Sequence, residues 1–137
     1  MPSRLPGHLW NAPNTGIGLV MAVGGRPRFD RENGVLVVRG GWMAWIFGHL
    51  GYAGMCVGDV VLEAMPLDPA TYRHELAHAD QGRLLGPFYL PCTLLGYAIG
   101  FLRCPRLAHD ASPMEIDADR RSGNADRNEW LARSRGG

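Results

Sequence analysis

Two histidines and a glutamate near the middle of the chain have the types and the spacing of a zinc site. In the run His74-Glu75-Leu76-Ala77-His78 the histidines are four residues apart, so a helix would stack them on one face. Two neutral imidazoles placed in this way can ligate one tetrahedral zinc ion. Glu75 lies one step round the helix, where its carboxylate can reach a water held by the metal. The run therefore predicts a Lewis acid beside a general base, a pair that hydrolyses amides.

A catalytic zinc site needs a third protein ligand, which must come from outside this helix. The position six residues after His78 is Leu84, so the third histidine of the metzincin pattern is absent. We favour Glu115 as the third ligand, with Asp119 one turn later orienting a histidine. Glu115 also completes a capping box that begins at Ser112, and this simpler role stays open. The other downstream residues that could ligate are His109, Asp110, Asp117 and Asp119.

Other polar residues near the motif have roles that the sequence leaves open. Gln81 lies three residues after His78, on the metal-facing side of the helix, where it could bind substrate, contact Glu115 or be exposed. A tetrahedral intermediate also needs a hydrogen-bond donor for its oxyanion. The candidates, which the sequence does not separate, are Tyr72, Tyr89, Tyr97 and His109.

The helix that carries the motif is the best-delimited element in the sequence. Asp68 is a good N-cap, and Pro69 suits the first helical position. The helix is predicted to end near Gly86-Pro87. A second helix over residues 89–103 is predicted to back it, and a short third helix that opens at Ser112-Pro113 carries the third ligand.

Strand signals precede the motif helix. Asn33-Gly34 is a strong turn signal between two strands, and Val60, Val61 and Leu62 form the apolar centre of another. The predicted elements are strands at 17–23, 35–38 and 59–64 and a short helix at 42–50. The predicted fold class is α+β, in which a small N-terminal sheet or hairpin packs on a zincin-like helical core with a motif helix, a backing helix and a short glutamate helix.

Composition divides the chain into three parts. Residues 1–16 are rich in Pro, Asn and Gly and predict an irregular arm, which could block the cleft as a propeptide does. Residues 17–122 predict a single domain, whose size supports a modest core. Residues 123–137 are polar and predict a loose tail.

Charge and cysteine content restrict the partners and the compartment. The formal net charge is +1, and the 14 basic residues, all arginine, form no stripe, so no nucleic-acid partner is expected. Three widely spaced cysteines without a Cys-x-x-Cys pair predict neither a disulfide framework nor a cysteine zinc site. The first residues show no secretory signal pattern. We therefore expect a cytoplasmic protein that acts on a peptide or protein, and the sequence does not indicate its oligomeric state.

Two uncharged stretches complicate the cytoplasmic prediction. Residues 41–58 and 88–102 contain no Asp, Glu, Lys or Arg. Both are shorter than the roughly 20 apolar residues that a helix needs to span a bilayer. Burial in the core is the simpler interpretation, and peripheral contact with a membrane is the alternative.

The pattern His74-Glu75-x-x-His78 followed by Glu115-x-x-x-Asp119 resembles the gluzincin clan of zinc metallopeptidases, especially its minimal single-domain members. This resemblance covers residues 59–121, less than half of the chain. It implies that His74, His78 and Glu115 bind zinc, that Glu75 is the general base, and that Asp119 supports a ligand from outside the metal shell. A run ending at Gln81 also resembles a bacterial family of small proteins that share HExxHxxQ and a later glutamate.

The same resemblance implies how a substrate binds, and this chain differs from the larger gluzincins in two respects. It implies that an extended peptide lies along an edge strand at 59–64 and contacts Val60, Val61 and Leu62. Larger gluzincins have an Asn before the metal-binding glutamate, whereas this chain has Met114. They also have a second domain that forms the far wall of the cleft, and this chain predicts none.

Three hypotheses about function follow from these patterns. The first is a zinc-dependent peptidase or other amide hydrolase. The second is a non-catalytic module that zinc stabilises and that docks a partner through residues 42–52. Glu75 favours the enzyme, since structural zinc has no use for a general base. The third is a membrane-associated protease, which requires the uncharged stretches to contact lipid.

Overall fold

The computed structural model describes residues 5–105 and 112–123. The helices are α1 (Leu5–Trp10), α2 (Ala12–Met21), α3 (Trp42–His49), α4 (Pro69–Leu85), α5 (Tyr89–Arg103) and α6 (Pro113–Arg121), with a 3-10 turn at Gly86–Phe88. The strands are β1 (Gly25–Asp30), β2 (Val35–Gly40), β3 (Gly54–Val57) and β4 (Val60–Glu63). The fold is α+β, which confirms the predicted class.

One mixed four-stranded sheet lies at the centre, with helices on both faces. Its strand order is β1-β2-β4-β3, in which β2 and β4 are parallel and the outer pairs are antiparallel. On one face Ala22, Ala44 and Phe47 of the α2 and α3 region pack against buried valines and leucine. On the other face Ala79 of α4 packs against a second buried group that includes Val61. The motif helix α4 is therefore held by the sheet, as a rigid site requires.

The prediction of an irregular arm at 1–16 is wrong for the residues that the structure describes. Helix α1 and the start of α2 occupy this region, with Pro13 in the first turn of α2. Gly18 lets α2 approach the sheet closely, because a Cβ at this position would lie 2.4 Å from the Val57 carbonyl oxygen. None of residues 5–16 lines the pocket described below, so this part of the chain does not cover the cleft.

A buried polar group, which we name the Asp59 cluster, fastens these N-terminal helices to α4. Asp59 Oδ1 accepts from Arg83 Nε at 2.8 Å and from Asn11 Nδ2 at 3.1 Å, and its Oδ2 lies 2.7 Å from His8 Nδ1. Asn11 is fully buried, and Gly82 leaves room for it, since a Cβ there would meet the Asn11 side-chain oxygen at 2.4 Å. The cluster joins α1 and the link between α1 and α2 to α4 through Asp59, the residue that precedes β4.

The strand predictions are partly wrong. Residues 17–23 lie in α2 and the turn after it, whereas the first strand, β1, has little apolar signal and contains Pro27, as edge strands tolerate. The turn at Asn33-Gly34 is confirmed, with Gly34 at φ +67° between β1 and β2. The strand expected at 59–64 is present as β4, but β3 was not predicted.

The helix predictions are confirmed by the structure. The side chain of Asp68 caps α4 by accepting from the Thr71 amide at 2.7 Å. Gly86 ends the helix at φ +55°. Helices α3, α5 and α6 coincide with the expected short helix, backing helix and glutamate helix.

Candidate metal centre

The two motif histidines and Glu115 meet in one buried group, which we name the metal cluster. His74 Nε2 lies 2.8 Å from Glu115 Oε2, His78 Nε2 lies 3.1 Å from the same oxygen, and the two Nε2 atoms are 3.1 Å apart. The three residues are 3–7% exposed. Helix α4 supplies the histidines from consecutive turns, and α6 supplies the glutamate from its first turn. The cluster is the group of described residues able to hold a metal ion.

The dimensions of this triangle suit a small divalent cation. Ligand atoms about 2.0–2.1 Å from a tetrahedral zinc ion lie about 3.3–3.4 Å from one another. The observed sides of 2.8–3.1 Å need an expansion of only a few tenths of an ångström. The donor set of two imidazoles and one carboxylate is also that of known catalytic zinc sites. The residues therefore fit a metal, whose identity belongs to the proposal below.

Asp119 orients the first histidine. Its Oδ1 lies 2.8 Å from His74 Nδ1, and a carboxylate oxygen can only accept, so Nδ1 carries the hydrogen. In the neutral imidazole that binds a metal, the lone pair of His74 is then on Nε2, which faces Glu115 and His78. The predicted contact of Asp119 with a ligand is present in the structure, and its effect is to fix the tautomer that a metal requires.

Gln81 orients the second histidine in the same way. Its Nε2 donates to the Met114 carbonyl at 2.9 Å and to Asp117 Oδ2 at 2.8 Å, both of which only accept. The amide oxygen must therefore face His78 Nδ1, 2.9 Å away, and accept its hydrogen. Gln81 is 2% exposed, so the exposed role is wrong, and its amide oxygen contacts His78, a role that the sequence analysis did not consider.

Electrostatics hold protons on the imidazoles when they have no metal. Burial alone lowers the pKa of His74, but its hydrogen bonds to Asp119 and Glu115 raise the pKa to about 10. His78 shows the same opposition, since burial lowers its pKa, whereas the hydrogen bond and charge of Glu115 and the charge of Glu75 together leave the pKa raised. The buried carboxylates thus stabilise positive charge beside them, which protons on the histidines or a metal ion can supply.

Glu75 shares a pocket with the metal cluster. This pocket has a volume of about 740 Å³ and is lined by His74, Glu75, His78 and Glu115 together with residues of β3, its preceding loop, and α5. Glu75 is 7% exposed and does not belong to the group of three that could ligate a metal. Glu75 therefore lies beside that group, at the wall of the same pocket.

The strand predicted at 59–64 is present, but the prediction that it lies at the edge of the sheet and binds a peptide is wrong. Val60, Val61 and Leu62 are fully buried, because β4 lies inside the sheet between β2 and β3. The edge strand beside the pocket is β3, and Gly54, Met55 and Cys56 line it. An apolar run signals burial but does not say whether a strand is at the edge, so sequence reasoning chose the wrong member of this pair.

Two of the candidate oxyanion donors reach the pocket. Tyr97 and Tyr89 of α5 both line it, and the Tyr97 hydroxyl donates to Glu115 Oε1 over a long 3.4 Å. Burial raises the pKa of both phenols, so they stay protonated donors. Tyr72 instead donates to Asp30, on the sheet side of α4.

The other candidate ligands take different positions. Asp117 accepts from Gln81 and from Arg121 Nε at 2.6 Å, so it supports the site from outside. His109 and Asp110 lie outside the described residues. Ser112 is the N-cap residue of α6, and its buried hydroxyl makes no capping bond.

Comparison of the chain with protein-family models, with curated proteins and with solved structures finds no significant match.

Proposed function

We propose that this chain is a small zinc-dependent peptidase of the gluzincin type. The observation that carries the proposal is the buried triangle of His74, His78 and Glu115 beside Glu75 at the wall of one pocket. Three protein ligands next to an open pocket are typical of catalytic zinc, since structural zinc sites are closed by four. A buried carboxylate that does not ligate is what a general base requires.

In the proposed reaction each residue has a distinct task. A bound zinc ion would supply Lewis acidity, which lowers the pKa of a coordinated water to about 7. Glu75 accepts a proton from the water that attacks the peptide carbonyl and passes it to the leaving amine. Tyr97 donates a hydrogen bond to the substrate oxygen on which charge develops. Its hydrogen bond to Glu115 is long and therefore weak, so the hydroxyl can leave Glu115 for the substrate at a small cost in free energy.

The edge strand β3 is the element that would bind the peptide. Its inner side pairs with β4, and it lies at the end of the sheet that borders the pocket. An extended peptide can add to such an edge through main-chain hydrogen bonds, which recognise any sequence. Such an edge supports a peptide substrate over a small amide. In this proposal the peptide contacts β3, and not Val60, Val61 and Leu62 as the sequence analysis expected.

A non-catalytic zinc-stabilised module is the second candidate. It is favoured by the fact that the metal cluster ties α4 to α6, which a bound ion would strengthen. The two candidates differ in what they require of Glu75, because only the enzyme needs its carboxylate.

The test is the zinc content and peptide hydrolysis of three purified proteins: wild type, His78→Ala and Glu75→Gln. We expect one equivalent of zinc in wild type and Glu75→Gln, and loss of zinc in His78→Ala. Cleavage of a peptide mixture, followed by mass spectrometry, should fall about 10²–10⁴-fold in Glu75→Gln, the usual contribution of a general base.

Each alternative predicts a different outcome. Zinc in wild type without cleavage of any peptide would favour the structural module. Cleavage by Glu75→Gln at the wild-type rate would contradict the proposed mechanism. A folded wild type that takes up no zinc would exclude both zinc-based candidates.

A further inference from the structure

The two sides of the pocket are built from the two uncharged segments of the chain. None of the 14 basic or 13 acidic residues lies in 41–58 or 88–102. The first segment contributes the wall from Gly51 to Cys56, and the second contributes Tyr89 and Tyr97. The predicted burial of these segments in the core is only partly correct, because each exposes several large apolar side chains.

The exposed face of α5 lies beside the pocket mouth. Leu94 and Phe101 are three residues before and four residues after Tyr97, so helix geometry sets them on the same side of α5 as this pocket residue. They are 69% and 57% exposed, and Leu95 and Leu102 extend the apolar surface. A helix at the surface of a soluble monomer normally carries charges there, whereas α5 has none before Arg103 at its end.

The opposite rim is also apolar and exposed. Leu50 and Tyr52, on the loop that leads into β3, are 69% and 45% exposed, and Tyr52 lines the pocket. Exposed aromatic and aliphatic side chains thus lie on both sides of the pocket, which Tyr52 lines directly.

We propose that this rim docks the protein on the surface of a lipid bilayer, with the pocket mouth facing the membrane. Hydrocarbon is the partner whose chemistry matches a surface with no charge on either side of an opening. Tyr52, which lines the pocket, is a residue type that favours the boundary between headgroups and acyl chains. Arg103, exposed at the end of α5, lies where it can meet lipid phosphate.

A lipid surface fits this rim better than a second copy of the chain does. A rigid protein seated on both sides of the mouth would close the pocket, whereas lipids and lipid-bound molecules exchange laterally and can enter it. Protein interfaces also need roughly one hydrogen bond per 100–200 Å². The exposed side chains of α5 between Leu94 and Leu102 supply no such groups.

The geometry points to a protein that lies on the membrane without crossing it. By length and composition the stretch Pro69–Arg103 is a candidate span, with 22% of its most apolar 18-residue window buried. That stretch is bent at Gly86 and includes the polar helix α4. Its apolar part, α5, has 15 residues and is about 22 Å long, shorter than the ~30 Å hydrocarbon core.

Docking in this orientation would also define the class of substrate. A pocket that opens toward the bilayer receives peptide segments at the membrane surface, such as the ends of membrane-inserted or lipid-anchored proteins. This part of the inference rests on the proposed peptidase function, whereas docking itself does not.

The experiment is flotation of the zinc-loaded full chain with phosphatidylcholine vesicles, and with vesicles that also contain phosphatidylglycerol. We expect wild type to float with both and to stay bound at high salt, because the attraction is mainly apolar. The double variant Leu94→Glu with Phe101→Glu should bind at least about tenfold more weakly, since two apolar contacts are replaced by charges.

Val20→Glu is the matched control. Val20 is 64% exposed on α2, which packs on the sheet face opposite α4, and the change adds the same charge. We expect vesicle binding of this variant within twofold of wild type. Zinc content and circular dichroism of all variants establish that each is folded.

Several outcomes would overturn the docking proposal. These are a wild type that does not float, equal loss of binding in Val20→Glu, or a dimer in solution that the double variant dissociates. Flotation and peptide cleavage, both measured on wild type, separate the two proposals. A wild type that floats but cleaves no peptide removes the peptidase and keeps docking, whereas a wild type that cleaves peptides but stays in solution removes docking alone.

Discussion

Two buried polar clusters share helix α4, and they balance charge in opposite ways. In the Asp59 cluster a carboxylate meets the guanidinium of Arg83, so both permanent charges come from the chain. In the metal cluster Glu115 faces two imidazoles, which become cations only by binding protons. The first cluster is electrically complete, whereas the second depends on something taken from solution.

The two clusters also differ in their access to solvent. The Asp59 cluster is packed between the N-terminal helices and α4, and its arginine and aspartate side chains are 12% and 11% exposed. The metal cluster opens on the pocket. Removing one partner from a complete buried pair leaves an uncompensated charge that destabilises the fold, whereas a buried group that is incomplete and accessible can take up a ligand. Three predictions test this distinction.

The largest effect is expected in the Asp59 cluster. Arg83→Met leaves the Asp59 carboxylate buried without its guanidinium and removes bonds to the Asn33 and Gly34 carbonyls. The free energy of unfolding should fall by about 3–5 kcal/mol. Urea denaturation measures it, with and without a chelator, and the loss should be the same in both conditions.

The matched control changes the other carboxylate that Arg83 contacts. Asp80 pairs with Arg83 at 3.0 Å but is 60% exposed, so Asp80→Asn should change stability by less than about 1 kcal/mol. A loss in Arg83→Met that appears only when zinc is bound would mean that the two clusters are not separate.

An intermediate effect is expected around the metal cluster, in affinity for the ion. Asp119→Ala and Gln81→Leu each remove the acceptor that orients one histidine, and each should weaken zinc binding about 10–100-fold. Competition with a chromophoric chelator measures this. Asp119→Asn keeps an oxygen acceptor and should recover most of the affinity. Equal weakening by Asp119→Asn and Asp119→Ala would contradict an orienting role.

The smallest effect concerns a partly exposed contact of α4 outside both clusters. The Tyr72 hydroxyl donates to Asp30, and this bond is the main cause that lowers the pKa of Asp30 below 3.8. Tyr72→Phe should cost about 1 kcal/mol at neutral pH.

The pH dependence of this contact has a definite sign. Because the folded pKa of Asp30 is lowered, the contribution is present above pH 3.8 and is lost as the pH falls through the folded value. The stability difference between wild type and Tyr72→Phe should therefore shrink in acid. Urea denaturation across this range checks it, and a difference that persists at the lowest pH would assign the effect to packing.

The sequence predicts the metal cluster well because its signals are local. His74 and His78 follow from helix periodicity, and the bounds of α4 follow from Asp68 and Gly86, whose roles depend on near neighbours. Glu115 and Asp119 are one turn apart on the short helix α6, which begins at Pro113. Predicting that these residues meet in one site required only the assumption that α4 and α6 pack against each other.

The errors lie where long-range contacts decide the structure. The helix α2 contains Pro13 and Gly16, which predict an irregular arm, and Gly18, which lies in the strand predicted at 17–23. Contacts with the β3–β4 turn hold this segment as a helix. The strand β3 has four residues and gains its role from pairing with β4. Which of two adjacent strands lies at the edge is a property of the whole sheet, and no local pattern reports it.

The consecutive residues Gln81, Gly82 and Arg83 have a consequence for how this protein can diverge. The first supports a metal ligand, the second makes room for Asn11, and the third binds Asp59. One residue inserted before them would rotate all three by about 100° relative to His74 and His78. The orientation of these three side chains relative to the two histidines therefore depends on the number of residues between them. Relatives of this chain should carry substitutions in this part of α4 but no insertions or deletions.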